Sequence, residues 1–144
     1  ALPAITGEPL QTIYEDNALA RIATSAFWEG TQTARKAGRP LASLPEVPRL
    51  LLVSASFVPH WLGWRPFRRQ ILDALGDEPV LPSTLQSVLR DGADEIDYLN
   101  GEIVALGREI GSPTPINRAL VEMVHDAKET GDFLSREAVL ARTS

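Results

Sequence analysis

The chain has 144 residues, enough for one domain or a piece of a larger one. Apolar residues make up 44% and charged residues 23%, ordinary globular values that exclude wholesale disorder. Fourteen basic against nineteen acidic residues leave a net charge of −5 with no strongly basic segment, which argues against a nucleic-acid binder, and the lack of cysteine excludes disulfides, thiolate catalysis and Cys-ligated metal centres.

No apolar run approaches the ~20 residues that cross a bilayer, so no membrane partner is expected. No charged segment followed by an apolar stretch opens the chain as a secretory signal would, and a cytoplasmic location is expected. The chain begins at Ala1 and not at Met, so the reading expects missing upstream residues.

In chain order, residues 1–5 read as the stump of an element ended by Thr6-Gly7, and residues 9–15 as a short helix with Pro9 near its start. Leu19, Ile22, Ala23, Ala26, Phe27, Gly30, Ala34 and Ala37 recur at three- and four-residue steps and predict one long helix with those residues on its buried face. Asp16 or Asn17 is its N-cap, and Gly38 with Pro40 its stop. Seven prolines between 40 and 82 cut the middle into short pieces. Residues 50–58 read as a buried helix or a strand, residues 61–66 as a turn, and residues 66–75 as a helix with Phe67, Ile71, Leu72 and Leu75 inward.

Between 83 and 110, apolar residues step by threes and fours, compatible with one long helix. Gly92 suits a helix stop, and Asp91, Asp94 and Glu95 suit a new start, so the preferred reading is two helices, about 82–90 and 93–110. Thr114 then caps a helix beginning at Pro115, with Leu120, Val121, Val124 and Ala127 as its apolar stripe and Gly131 as its stop. Residues 135–142 form a last short helix or a frayed tail. No alternating strand pattern is present, so the fold class is all-α.

No glycine-rich dinucleotide turn or phosphate loop is present. His60 and His125 stand on unrelated segments without a carboxylate ligand pattern, so hydrogen-bonded or solvated histidines are expected and a metal site is not. Arg65, Arg68 and Arg69 read as a solvated helix face rather than an anion site. Trp61 and Trp64 either wall a pocket or, more commonly for such a pair, cover a core edge or an interface.

Three motifs occur in order: residues 81–87 (Leu-Pro-Ser-Thr-Leu-Gln-Ser), residues 94–101 (Asp-Glu-Ile-Asp-Tyr-Leu-Asn-Gly) and residues 111–117 (Gly-Ser-Pro-Thr-Pro-Ile-Asn). With the opening residues 2–10 and the helix ending at Ala37-Gly38, this set resembles the C-terminal domain of the ketopantoate reductase family (2-dehydropantoate 2-reductases). The resemblance covers nearly the whole chain and is weakest over residues 39–80. It implies an all-α, multi-helix C-terminal domain of the 6-phosphogluconate-dehydrogenase-like type, without its Rossmann domain. Residues 1–144 would then be a single substrate-binding and dimerisation domain, severed from a two-domain reductase.

The resemblance further implies NADPH as cofactor, held mainly by the absent N-terminal Rossmann domain, a small 2-keto acid as substrate, and a homodimer. Ser83 falls on the family's substrate-holding serine and Glu95 on its glutamate at the cofactor side of the cleft. The general-acid lysine and its nearby asparagines would precede Ala1, so no catalytic residue lies in this chain and the isolated chain is expected to be inactive. Lys36 and Lys128 match nothing. A further family asparagine would fall near Leu10, which cannot make its hydrogen bonds.

Each residue also has a plainer role. Ser83 with Gln86 three residues on is a capping box, compatible with holding a substrate carboxylate at a helix start. Glu95 is otherwise a solvated first-turn acid. In an unbroken helix the two would stand about 18 Å apart, so a break near Asp91–Gly92 is needed if both serve one cleft. Asn100 and Gly101 are expected to serve packing, Asp97 and Tyr98 structural hydrogen bonds, and Asn117 the start of its own helix in preference to a ligand. The alternative function is a stand-alone helical ligand-binding or dimerisation module without catalysis.

Overall fold

A computed structural model describes residues 1–40, 58–76, 80 and 96–144. Among them every regular element is helical. α1 (Leu2–Thr6), α2 (Leu10–Glu15) and α3 (Asn17–Lys36) are followed by α4 (His60–Leu75). A π-turn (Asp97–Gly101) runs directly into α5 (Glu102–Glu109), and α6 (Pro115–Thr130) and α7 (Arg136–Arg142) complete the chain. The all-α expectation is met.

Helix α3 is the axis of the fold, packing against α2, α4, α5, α6 and α7. Its start lies where the sequence places it: Asp16 accepts hydrogen bonds from the backbone N–H groups of Ala18 (2.8 Å) and Leu19 (2.9 Å). The same carboxylate accepts from Arg136 Nε at 2.6 Å, which ties α7 to the head of α3. The expected apolar face is too narrow. Of its residues only Leu19, Ile22 and Ala26 are fully buried and Ala23, Phe27, Gly30, Ala34 and Ala37 are half-buried, while Thr24, Trp28, Thr31 and Thr33 are buried too, because helices surround α3 on most sides. Thr24 and Thr31 tolerate burial by donating to the carbonyls of Ala20 (2.8 Å) and Trp28 (3.0 Å).

The main core joins Leu2, Ala4 and Ile5 of α1, Ile13 of α2, Leu19, Ile22 and Ala26 of α3, Ile96, Leu120, Met123 and Val124 of α6, and Val139 of α7. At ~25 cal/mol per Å² of apolar surface removed from water, such burial, more than helix propensity, holds short pieces like α1 and α2 in place. A second, aromatic cluster seats α4: Phe27 stacks on Phe67 with centroids 4.9 Å apart, and Trp28 meets Phe67 edge-on at 5.6 Å.

Two expectations are corrected here. Residues 61–66 are not a turn: α4 starts at His60 and carries Pro66 inside it. Pro66 cannot donate to the carbonyl of Leu62, but both residues are exposed, so water can satisfy that group. Burial of Trp64 and Phe67 on the opposite side keeps the helix continuous. The segment expected as a regular helix over 93–110 is, where described, a π-turn feeding α5. The expected helix over 82–90 and the break at Asp91–Gly92 lie outside the described residues, as does most of residues 50–58. Residues 136–142 form a helix capped by Ser135, which accepts from the Ala138 N–H at 3.3 Å.

Candidate functional site

The most constrained polar group in the described core is Asn117, fully buried near the start of α6. Its carboxamide orientation follows from its neighbours. Glu29 of α3 presents a carboxylate, which only accepts, so the side facing it must be Nδ2; that atom donates to Glu29 Oε2 at 2.8 Å and to the Ala26 carbonyl at 3.0 Å. Oδ1 is therefore turned away and accepts from Asn100 Nδ2 at 2.8 Å. One charge on α3 thus sets the orientation of two amides, the second of which belongs to the π-turn. Such turns insert a residue into a helix and are frequent at functional sites.

Glu29 also replaces the expected cap. Thr114 occupies the N-cap position of α6 but makes no capping hydrogen bond with its side chain. Instead Glu29 Oε1 accepts from Ile116 N and Oε2 from Asn117 N, both at 2.9 Å. The helix dipole favours a negative charge there, and the carboxylate satisfies donors that the helix cannot satisfy itself. Asn117 thus reaches across the fold rather than serving only its own helix start.

Beside this polar chain lies a hollow of about 270 Å³. α1 contributes Leu2 and Pro3 to its wall, α2 Leu10, Ile13 and Tyr14, and α3 Ala23, Ala26 and Phe27. Ala1, Ile103 and Leu120 complete the apolar part, and Asn100 and Asn117 supply the amides. No acidic or basic side chain lines it. Burial pushes the Tyr14 hydroxyl above its ordinary pKa, so it is neutral at pH 7. A larger depression of about 370 Å³ lies against Arg108 and Arg118 near the start of α6. It is a poorer anion site than its arginines suggest, because Glu29 already occupies the helix-start donors.

Ser83 and Glu95 both lie outside the described residues. Their described neighbours are informative. Val80, three residues before Ser83, is tied to α2: its carbonyl accepts from Leu10 N at 3.1 Å and its N–H donates to Gln11 Oε1 at 2.9 Å. Ile96, next to Glu95, is buried in the main core. Leu10, near which the resemblance places a family asparagine, lines the hollow.

The remaining candidates have structural surroundings. Thr24 spends its hydroxyl proton on the Ala20 carbonyl, so it accepts from His60 Nε2 at 2.9 Å, which assigns the proton to that nitrogen. Burial, and secondarily the Arg21 charge, lowers the His60 pKa, so the ring is held neutral. His125 pairs with Asp97 of the π-turn at 3.1 Å, as the structural reading of Asp97 expects, whereas Tyr98 is 77% exposed. Among the described residues no cluster of His, Asp and Glu gathers to hold a metal.

Arg68 corrects the solvated-face reading of the basic patch. Its guanidinium donates to the carbonyls of Tyr14 and Glu15, closing the C-terminal end of α2 where the helix dipole favours a cation. Trp64 is buried, with the Arg21 and Arg65 guanidinium groups 5.8 and 5.4 Å from its ring centroid, and Trp61 is exposed. Neither tryptophan reaches the hollow. Lys36 donates to Ser112 Oγ at 3.0 Å. Gly101 is not a close-packing glycine, since an added Cβ would meet Asp97 only at 3.6 Å. Gly107 is one: its Cβ would stand 2.7 Å from the Ser112 carbonyl oxygen. Sequence reasoning missed Glu29, whose only local sign is an acidic residue within a face that proves to be enclosed.

No helix among the described residues is long and apolar enough to cross a membrane. A 2-dehydropantoate 2-reductase of Pyrobaculum aerophilum is 34% identical over 67 residues, which make up 44% of this chain and 24% of that protein. The chain thus spans about a quarter of that relative's length. No solved structure gives a significant match. The family model described as "Ketopantoate reductase PanE/ApbA C terminal" matches residues 1–129. With its helices wrapped about α3 and nine-tenths of its length matched, the chain belongs to the ketopantoate reductase C-terminal domain family.

Proposed function

We propose that this chain is the helical substrate-side domain of an NADPH-dependent 2-keto acid reductase, with ketopantoate, reduced to pantoate, as the reference substrate. The observation that carries the reading is the family match over residues 1–129. The hollow between α1, α2 and α3 supports it by giving the domain a preformed concave surface. The described residues do not fit a dinucleotide: they contain no strand and no glycine-rich turn at a helix start. In the proposal a separate N-terminal Rossmann domain holds the cofactor, and a lysine before Ala1 is the general acid.

Within this chain Ser83 holds the substrate and Glu95 faces the cofactor side of the cleft. What supports these roles is the resemblance of residues 81–87 and 94–101 to the family's motifs. The assembly is a cytoplasmic homodimer, a state that sedimentation of the longer protein checks. The test is NADPH oxidation with ketopantoate. The longer protein turns over, Ser83→Ala and Glu95→Ala each lose at least tenfold in kcat/KM, and the isolated chain is inactive. Turnover by the isolated chain, or none by the longer protein, overturns the proposal.

A further inference from the structure

The structure assigns a second binding site, for a phosphate group, to the turn between α5 and α6. The depression of about 370 Å³ there is lined by Arg108 of α5, Arg118 of α6 and the turn residues Ser112 and Thr114. It shares no lining residue with the hollow beside Asn100, so the inference stands apart from the reductase reading.

Thr114 is what points to a ligand. The residue is only 9% exposed, yet its hydroxyl caps nothing and has no hydrogen-bond partner among the described residues. No buried side-chain polar atom among them is unpaired, so this hydroxyl reaches solvent, in the depression that Thr114 lines. Close by in the turn, Ser112 is equally enclosed and accepts from Lys36 Nζ at 3.0 Å. An ammonium only donates, so the Ser112 hydroxyl proton stays free for an acceptor. Two hydroxyl donors thus stand with three cations, Lys36, Arg108 and Arg118, in a chain of net charge −5. Arg108 has no ion-pair partner among the described residues, and Arg118 meets only Glu122, at 4.0 Å on the open surface, where such a pair is weak.

The start of α6 contributes no free backbone donor: Pro115 has no N–H, and Glu29 takes those of Ile116 and Asn117. Side chains alone hold the ligand, and its charge must work against that of Glu29. A carboxylate brings one negative charge and two oxygens. A phosphate group brings up to two charges and three acceptor oxygens, which suit two hydroxyls and the guanidinium forks better. The turn is already set for binding. Gly111 sits at φ 66°, Pro113 and Pro115 fix their own φ, and Ser112 N donates to the Gly107 carbonyl at 2.8 Å. Little ordering therefore opposes the ligand. Inorganic phosphate and a small phosphate ester share this chemistry.

The experiment is calorimetric titration of the full-length protein with inorganic phosphate, glycerol 3-phosphate and acetate. It runs at about pH 8 and constant ionic strength, so that the phosphates are doubly charged and screening is equal. Saturable binding of a phosphate probe is expected, with acetate roughly tenfold weaker or more. The tighter of the two phosphate probes identifies the source. Thr114→Ala and Arg108→Gln should each weaken binding about tenfold or more, the effect of losing one hydrogen bond to a charged group. Thr114→Ala leaves the Glu29 cap of α6 in place and so keeps the fold. Arg69→Gln, at an exposed arginine of α4 outside the depression, should change nothing. The inference is overturned by a wild type that binds neither phosphate probe, by acetate binding as tightly, by site variants that bind like wild type, or by Arg69→Gln weakening binding as much as they do.

Discussion

Replacing Asn117 by Ala tests whether the buried amide chain holds the site together. The substitution removes the donations to Glu29 (2.8 Å) and Ala26 (3.0 Å) and the acceptance from Asn100 (2.8 Å). Two neutral hydrogen bonds are worth about 1 kcal/mol each and the bond to a carboxylate about 1.5–3 kcal/mol. The loss is not the full sum. Glu29 keeps its bonds from Ile116 N and Asn117 N, and half-buried Asn100 can turn to water. The expected cost is about 3 kcal/mol. With an unfolding entropy near 0.3 kcal/mol/K for a chain of this size, Tm should fall by about 10 °C.

Thermal and urea unfolding followed by circular dichroism would measure this. A Tm within about 3 °C of wild type, near 1 kcal/mol, would refute the view that the Glu29–Asn117–Asn100 chain is structurally decisive. Asn117→Asp sharpens the test. It sets a second carboxylate against Glu29, which pushes the pKa of the pair upward in the folded state. Raised folded-state values mean that stability is retained at low pH and lost as pH rises through them. The defect should therefore ease on acidification, the reverse of an ordinary loss of a carboxylate.

Three further predictions follow from the same contacts. Thr114→Ala should cost under about 0.5 kcal/mol while Glu29→Ala costs about 2 kcal/mol or more, since the distant carboxylate and not the local hydroxyl caps α6; equal effects in urea unfolding would restore the local cap. Gly107→Ala forces a Cβ to within 2.7 Å of the Ser112 carbonyl oxygen and should lower stability by about 1–3 kcal/mol, against a gain if helix propensity alone mattered. The Asp16 pKa is lowered, first by its hydrogen bond with Arg136 and then by the N–H groups it caps. A lowered folded-state value means its contribution is present above the unfolded carboxylate pKa of about 3.9 and is lost as pH falls through the folded value. Asp16→Asn, which keeps a capping oxygen, should show a shallower acid loss of the urea midpoint than wild type, and an unchanged slope would refute the assignment.

Local chemistry made much of the fold legible before any coordinates. Asp16 and Gly131 mark helix ends because caps act over two to four residues, and the periodicity of α3 and α6 follows from 3.6 residues per turn. Three motifs in order revealed the family, later matched over residues 1–129. The sequence could not indicate that Pro66 sits inside α4, because what offsets a lost hydrogen bond is aromatic packing against α3.

The site divides in the same way. Leu10 was legible in the sequence only as an apolar residue of a short helix, and only the tertiary structure sets it in a hollow with Phe27 and Asn100. Glu29 reaches Asn117 across 88 positions of chain and Asn117 reaches Asn100 across 17. No periodicity or spacing rule encodes such a pairing, since a buried amide takes its orientation from whichever charge the fold delivers beside it. What the linear order determined is therefore where helices begin, end and turn their apolar sides. What packing alone decided is which polar groups lose water together, and so must satisfy one another.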